Sequence, residues 1–126
     1  MGKRLLIIDD SVELVALLKA KLTAAGFEVR SALDGMYGIR EALNFSPDLI
    51  VLDICFPAGG GLPVLERLKT NLRTKSIPVL ILTGLEDEEV ERQAFELGAA
   101  GYALKPIKPE EVLQEVNRLL APKAQA

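Results

Sequence analysis

A chain of 126 residues, 49% of them apolar and 26% charged, is long enough to bury one conventional core and too apolar to stay disordered. Its formal net charge of -3 and scattered basic residues leave no electrostatic footprint for nucleic acid. No apolar stretch approaches the ~20 residues of a membrane span. The single cysteine can form no internal disulfide, and the amino terminus enters a strand without a signal-peptide pattern, so the expected setting is a reducing cytoplasm.

Apolar runs of strand length alternate with amphipathic runs of helix length, five times over. Leu5-Leu6-Ile7-Ile8 reads as a buried parallel strand, because its apolar residues run on without alternation. Asp10-Ser11 can cap the helix that follows, with Leu14, Leu18, Leu22 and Ala25 on one face and Gly26 as its stop. Phe27 to Ala32 alternates with polar residues, as an edge strand does. A helix from about Gly35 to Phe45 turns Ile39, Ala42 and Leu43 inward, and Pro47 restarts the chain into the strand Leu49-Ile50-Val51-Leu52. The loop Phe56-Pro57-Ala58-Gly59-Gly60-Gly61 is permissive and reads as an ordinary tight turn. It leads into a helix with Pro63 in its first turn and Leu65, Leu68 and Leu72 inward. Pro78 to Leu82 forms a fourth strand, and a helix over about Asp87 to Leu97 starts in an acidic run that suits its positive end. A short strand around Tyr102-Ala103-Leu104 precedes the last helix. That helix starts at Pro109 and turns Val112, Val116, Leu119 and Leu120 inward.

Strands alternating with helices predict an α/β fold, a doubly wound five-stranded parallel sheet with five helices on its two faces. Pattern alone leaves the strand order open. The order 2-1-3-4-5 is chosen because it sets the first and third strands side by side at the switch point, where ligands of open α/β sheets bind. The strand ends carry the chemistry. The first runs into Asp9-Asp10, the third into Asp53, the fourth into Thr83 and the fifth into Lys105-Pro106. Two adjacent acids at a buried strand end repel one another unless a cation sits between them, so this edge predicts a metal site.

These residues resemble the receiver domain of two-component response regulators. The resemblance rests on Asp9-Asp10, on Pro47-Asp48-Leu49-Ile50-Val51-Leu52-Asp53 followed by Pro57 and Gly61, on Leu82-Thr83, and on Gly98-Ala99 followed by Tyr102 and Lys105-Pro106. It covers nearly the whole chain: 3–121 as the receiver, 122–126 as a tail or the start of a linker. Gly84, Ile107 and the three glycines depart from the usual pattern, and none of these departures removes a chemical group.

The resemblance implies a phosphorylation switch. Asp53 is then the carboxylate nucleophile that takes a phosphoryl group from a sensor histidine kinase or a histidine phosphotransfer protein. It implies Mg²⁺ as cofactor, held by Asp10 and Asp53, by Asp9 directly or through water, and by the main-chain carbonyl of Cys55. Lys105 pairs with a phosphoryl oxygen, replacing a contact with Asp53 in the resting state. Thr83 binds another oxygen, and Tyr102 turns inward behind Thr83 to reshape a surface read by an effector protein or domain. The resemblance also implies a cis Lys105-Pro106 bond. Such a module catalyses only its own phosphorylation and dephosphorylation and is no enzyme toward outside substrates.

Three other functions compete. A constitutive interaction domain with a vestigial pocket would not need all five chemical groups. A flavodoxin-like binder wants a Gly/Ser/Thr-rich phosphate cradle after the first strand, where two acids stand. A hydrolase with an aspartate nucleophile wants a second acid two residues on, where Cys55 stands. Neither the cognate kinase nor the output follows from the residues, nor whether the chain is a stand-alone regulator, a relay intermediate or part of a longer protein.

Overall fold

The computed structural model describes residues 2–55 and 60–122. Strands and helices alternate in chain order: β1 (Arg4–Ile8), α1 (Val12–Ala24), β2 (Glu28–Ala32), α2 (Gly35–Phe45), β3 (Leu49–Leu52), α3 (Leu62–Thr70), β4 (Val79–Thr83), α4 (Glu88–Glu96), β5 (Gly101–Leu104) and α5 (Pro109–Leu120). The five strands form one parallel sheet in the order β2-β1-β3-β4-β5. That is the predicted order, with β2 and β5 at the edges. Pro57, Gly59 and the tail 123–126 lie outside the described residues, so the predictions for the first half of the β3–α3 loop and for the tail stop there.

Side chains alternate across the pleat, so β1, β3 and β4 each serve two cores. Leu6, Ile8, Ile50, Leu52, Val79 and Ile81 pack against α2, α3 and α4 through Ala42, Leu65, Leu68 and Ala94. Leu5, Ile7, Leu49, Val51, Leu80 and Leu82 pack against α1 and α5 through Val15, Leu18, Leu22, Val112 and Val116. Burial on both faces is what the unbroken apolar runs of β1, β3 and β4 required. The polar-alternating β2 is half-exposed, as an edge strand can be.

Several helix faces differ in detail from the sequence reading. On α1 the buried row is Val15, Leu18 and Leu22, with Leu14 half-buried. Ala25 is the exposed C-cap, because the helix ends at Ala24 and Gly26 takes a φ of 100° that favours glycine. On α2, Gly38 and Phe45 share the buried face with Ala42, while Ile39 and Leu43 are half-buried. Leu72 is the clear miss. It is 80% exposed because α3 stops at Thr70 and Asn71 turns to an extended conformation, which carries the next residue off the helical face. Thr74 takes the buried place after the helix, where its hydroxyl donates to the Leu68 carbonyl at 2.6 Å.

The helix starts behave as their capping residues predict. Ser11 Oγ accepts from Leu14 N, Asp34 from Tyr37 N, and Asp87 from Glu89 N and Val90 N. At α5, Pro109 fills the first turn and Glu111 accepts from the Lys108 amide at 3.0 Å. Each of these caps fixes where a helix leaves the sheet edge, and so fixes the loops that carry the strand-end residues.

Candidate functional site

Parallel strands in this register bring Asp9, Asp53, Thr83 and Lys105 to one edge of the sheet. Ile8 pairs with Leu52, so Asp9 and Asp53 stand side by side, and Thr83 pairs with Leu104, one residue before Lys105. The main chain ties the strand ends together: Asp53 N donates to the Ile8 carbonyl at 2.9 Å and Lys105 N to the Thr83 carbonyl at 2.8 Å.

One carboxylate oxygen from each of Asp9, Asp10 and Asp53 lies within 4.8 Å of the others. Asp9 and Asp53 are buried, while Asp10 faces solvent. Local turns orient the first two. Asp9 Oδ1 accepts from Ser11 N and Asp53 Oδ1 from Cys55 N, both at 2.8 Å, which leaves the Oδ2 of each free for another partner. That partner is Lys105, whose Nζ donates to Asp9 Oδ2 at 2.8 Å and to Asp53 Oδ2 at 3.1 Å. The contact with Asp53 is the predicted one. The shorter one, with Asp9, was not foreseen.

Burial works against the charge on Lys105, but the hydrogen bond and charge of Asp9, joined by Asp53, outweigh it and hold the ammonium above its ordinary value. The pairing also explains how two buried acids coexist among the described residues. A single ammonium still faces three carboxylates, so the cluster keeps a negative excess. With oxygen donors only, and no histidine anywhere in the chain, it suits a hard divalent cation such as Mg²⁺ rather than a soft one.

Thr83 is fully buried at the end of β4. Its Oγ1 accepts from Leu85 N at 3.3 Å and lies 3.0 Å from Cys55 Sγ. On β5 the half-buried Tyr102 packs against the α2, α3 and α4 core, and its hydroxyl donates to the Leu85 carbonyl at 2.7 Å. Burial raises the Tyr102 phenol above its ordinary value, with Glu91, Cys55, Asp87 and Asp53 adding to it. Thr83 and Tyr102 thus meet at one residue, Leu85, which gives its amide to the first and its carbonyl to the second. Its strand-end place marked Thr83 and the resemblance marked Tyr102, but neither carried a sign of Leu85 as the shared partner, nor of the thiol beside Thr83.

Gly61 supports this edge from below. A Cβ there would stand 2.4 Å from Ile54 Cα and 2.7 Å from the Asp53 carbonyl oxygen, and Gly61 N donates to the Ile54 carbonyl at 2.8 Å. Only glycine lets the start of α3 pass this close behind Asp53. The reading of this stretch as a merely permissive turn therefore understates position 61. The Lys105-Pro106 bond is cis, as the resemblance implied.

An open parallel sheet of this order with an acid cluster, a hydroxyl and an ammonium at its carboxyl edge defines a phosphoacceptor pocket of the two-component type. The chain belongs to the response regulator receiver domain family, whose model matches residues 5–117. It is 42% identical over 117 residues to the "DNA-binding dual master transcriptional regulator RpaA" of Synechocystis sp., covering 93% of this chain and 48% of that protein. It is 36% identical over 120 residues to the "alkaline phosphatase synthesis transcriptional regulatory protein PhoP" of Bacillus subtilis, covering 95% of this chain and 49% of that protein. The chain therefore spans about half the length of these curated relatives. Among solved structures, the chemotaxis response regulator CheY4 of Vibrio cholerae superposes with a TM-score of 0.89 at 28% identity, over 95% of this chain and 100% of that one. The non-phosphorylated HemR receiver domain of Leptospira biflexa gives 0.88 at 27%, over 99% of each chain. Receiver domains generally bind Mg²⁺ through an acidic cluster, and the three aspartates here are the candidate set.

Proposed function

We propose that Asp53 accepts a phosphoryl group from a phosphohistidine, on a sensor histidine kinase or a histidine phosphotransfer protein, and that residues 3–121 carry the resulting switch in the cytoplasm. The observation behind this reading is the arrangement at Asp53. Its Oδ1 is fixed by the Cys55 amide, and its Oδ2 is held by a cation that can let go, the Lys105 ammonium. A carboxylate anchored on one side and ion-paired on the other is aimed without being blocked.

In the step itself a carboxylate oxygen of Asp53 attacks phosphorus. The oxygen–phosphorus bond forms as the phosphorus–nitrogen bond breaks, and the bonding pair leaves with the imidazole nitrogen. Lys105 moves its charge from Asp53 to a phosphoryl oxygen, and Thr83 turns its hydroxyl to another. Asp9, Asp10 and Asp53, with the Cys55 carbonyl, would hold Mg²⁺, which when bound offsets the negative charge that phosphoryl oxygens bring to an acidic pocket. Withdrawal of Thr83 leaves space behind it for the Tyr102 ring, so the α4, β5 and α5 surface changes for a downstream effector. The chemistry proposed is limited to the chain's own phosphorylation and dephosphorylation.

Incubation with acetyl phosphate and Mg²⁺ tests the reading by intact mass. One added phosphoryl mass on the parent, absent in Asp53→Asn, supports it. A parent that gains no mass under conditions where a known receiver is modified would leave a constitutive interaction domain as the better account.

A further inference from the structure

Thr83 has one hydroxyl proton, and the surroundings of that proton decide where it rests. Oγ1 already accepts from the Leu85 amide at 3.3 Å, and Thr83 is fully buried. Among the described residues, the one acceptor within reach of its proton is Cys55 Sγ at 3.0 Å. The exposed Cys55 can give its own S–H proton to water, whereas Thr83 cannot turn to water. Full satisfaction of both groups therefore has Thr83 donating and Cys55 accepting.

We propose that the Cys55 side chain is a positioning residue that holds the Thr83 hydroxyl in its resting orientation and competes with the phosphoryl group for the Thr83 proton. The inference rests on Asp53 as phosphoacceptor and adds a role that the main-chain group of Cys55 does not perform. Cys55 then touches both halves of the switch: its amide fixes Asp53 Oδ1 at 2.8 Å, and its sulfur holds Thr83. The Thr83 proton has two acceptors to choose between, a weak neutral sulfur and a charged phosphoryl oxygen. Phosphorylation wins that competition, but against the cost of one hydrogen bond. A receiver with no acceptor at position 55 would start with its threonine unlatched.

The test is a double-mutant cycle read by the affinity for beryllofluoride, a phosphoryl mimic, at fixed Mg²⁺. The proteins are the parent, Cys55→Ala, Thr83→Ala and the double variant, with Cys55→Ser as the conservative replacement. Cys55→Ala should tighten mimic binding by about two- to tenfold, the worth of one neutral hydrogen bond. The same substitution should do nothing in the Thr83→Ala background, and Cys55→Ser, which keeps an acceptor, should stay within about twofold of the parent. An equal effect of Cys55→Ala in both backgrounds, or weaker mimic binding in the single variant, overturns the latch. Failure of the parent to bind the mimic at all would instead overturn the reading of the pocket on which the latch depends.

Discussion

Lys105 Nζ stands 3.1 Å from Asp53 Oδ2, a contact between residues 52 positions apart that closes the pocket from the β5 side. Because the same ammonium also binds Asp9, it is the internal counter-ion of the acid cluster when no metal is bound. Lys105→Met should therefore lower the stability of the metal-free protein by about 1–3 kcal/mol. That range is reduced from the usual cost of breaking a buried pair because Lys105 is partly solvated. Mg²⁺ should restore part of the loss. The pH dependence has a definite sign. Asp9 and Asp53 raise the folded-state value of Lys105 above its ordinary 10.5, so its stabilisation is complete below pH 10.5 and disappears as pH rises through the folded-state value. Urea melts of parent and variant across pH 7 to 11 check this. A gap that widens with pH would contradict it.

Asp10 is the exposed member of the acid cluster and forms no hydrogen bond or ion pair among the described residues. Its removal should leave the fold intact while reducing Mg²⁺ affinity by about tenfold or more. In the parent, saturating Mg²⁺ should raise the melting temperature, since a ligand at about a hundred times its dissociation constant adds about 2.7 kcal/mol. Thermal melts with and without the metal measure both effects. An undiminished Mg²⁺ shift in Asp10→Ala would place the metal elsewhere.

The site was legible because it is written at strand ends. Asp9, Asp53, Thr83 and Lys105 each follow an apolar run, and a parallel sheet must gather its carboxyl ends on one edge. Contacts that depend on how a loop folds back were not legible. Spacing does not show that Leu85 serves both Thr83 and Tyr102, or that Cys55 Sγ reaches Thr83, because those distances follow from turn geometry after β3 and β4. Leu72 was misplaced for a related reason. Helical periodicity continues through Asn71 in the sequence, while the backbone leaves the helix there.

Gly61 offers a check on how closely α3 must approach the end of β3 behind Asp53. Gly61→Ala puts a methyl group against the Ile54 main chain, which cannot give way as a flexible side chain could. It should cost about 1–3 kcal/mol of stability. Denaturant unfolding gives the value, and a loss below about 0.5 kcal/mol would mean that the loop shifts without consequence.

Tyr102 carries the expected output. Its hydroxyl is bound to Leu85, so a movement of Thr83 has a direct route to the α4 and β5 surface through one residue. Beryllofluoride should change amide exchange in residues 85–104 as well as around Asp53, and Tyr102→Ala should reduce the response on α4. A response confined to the loops next to Asp53 would favour a passive phosphate carrier.

The central claim is that the phosphoryl group is carried by Asp53, and the most direct measurement is chemical mapping of the modified side chain. Borohydride reduces an acyl phosphate on aspartate to homoserine, and peptide sequencing by mass spectrometry locates it. After treatment with acetyl phosphate and Mg²⁺, homoserine should be found at position 53 alone, with Asp9 and Asp10 unreduced. Homoserine at position 9 or 10, or a phosphoryl mass that leaves Asp53 unreduced, would contradict the account.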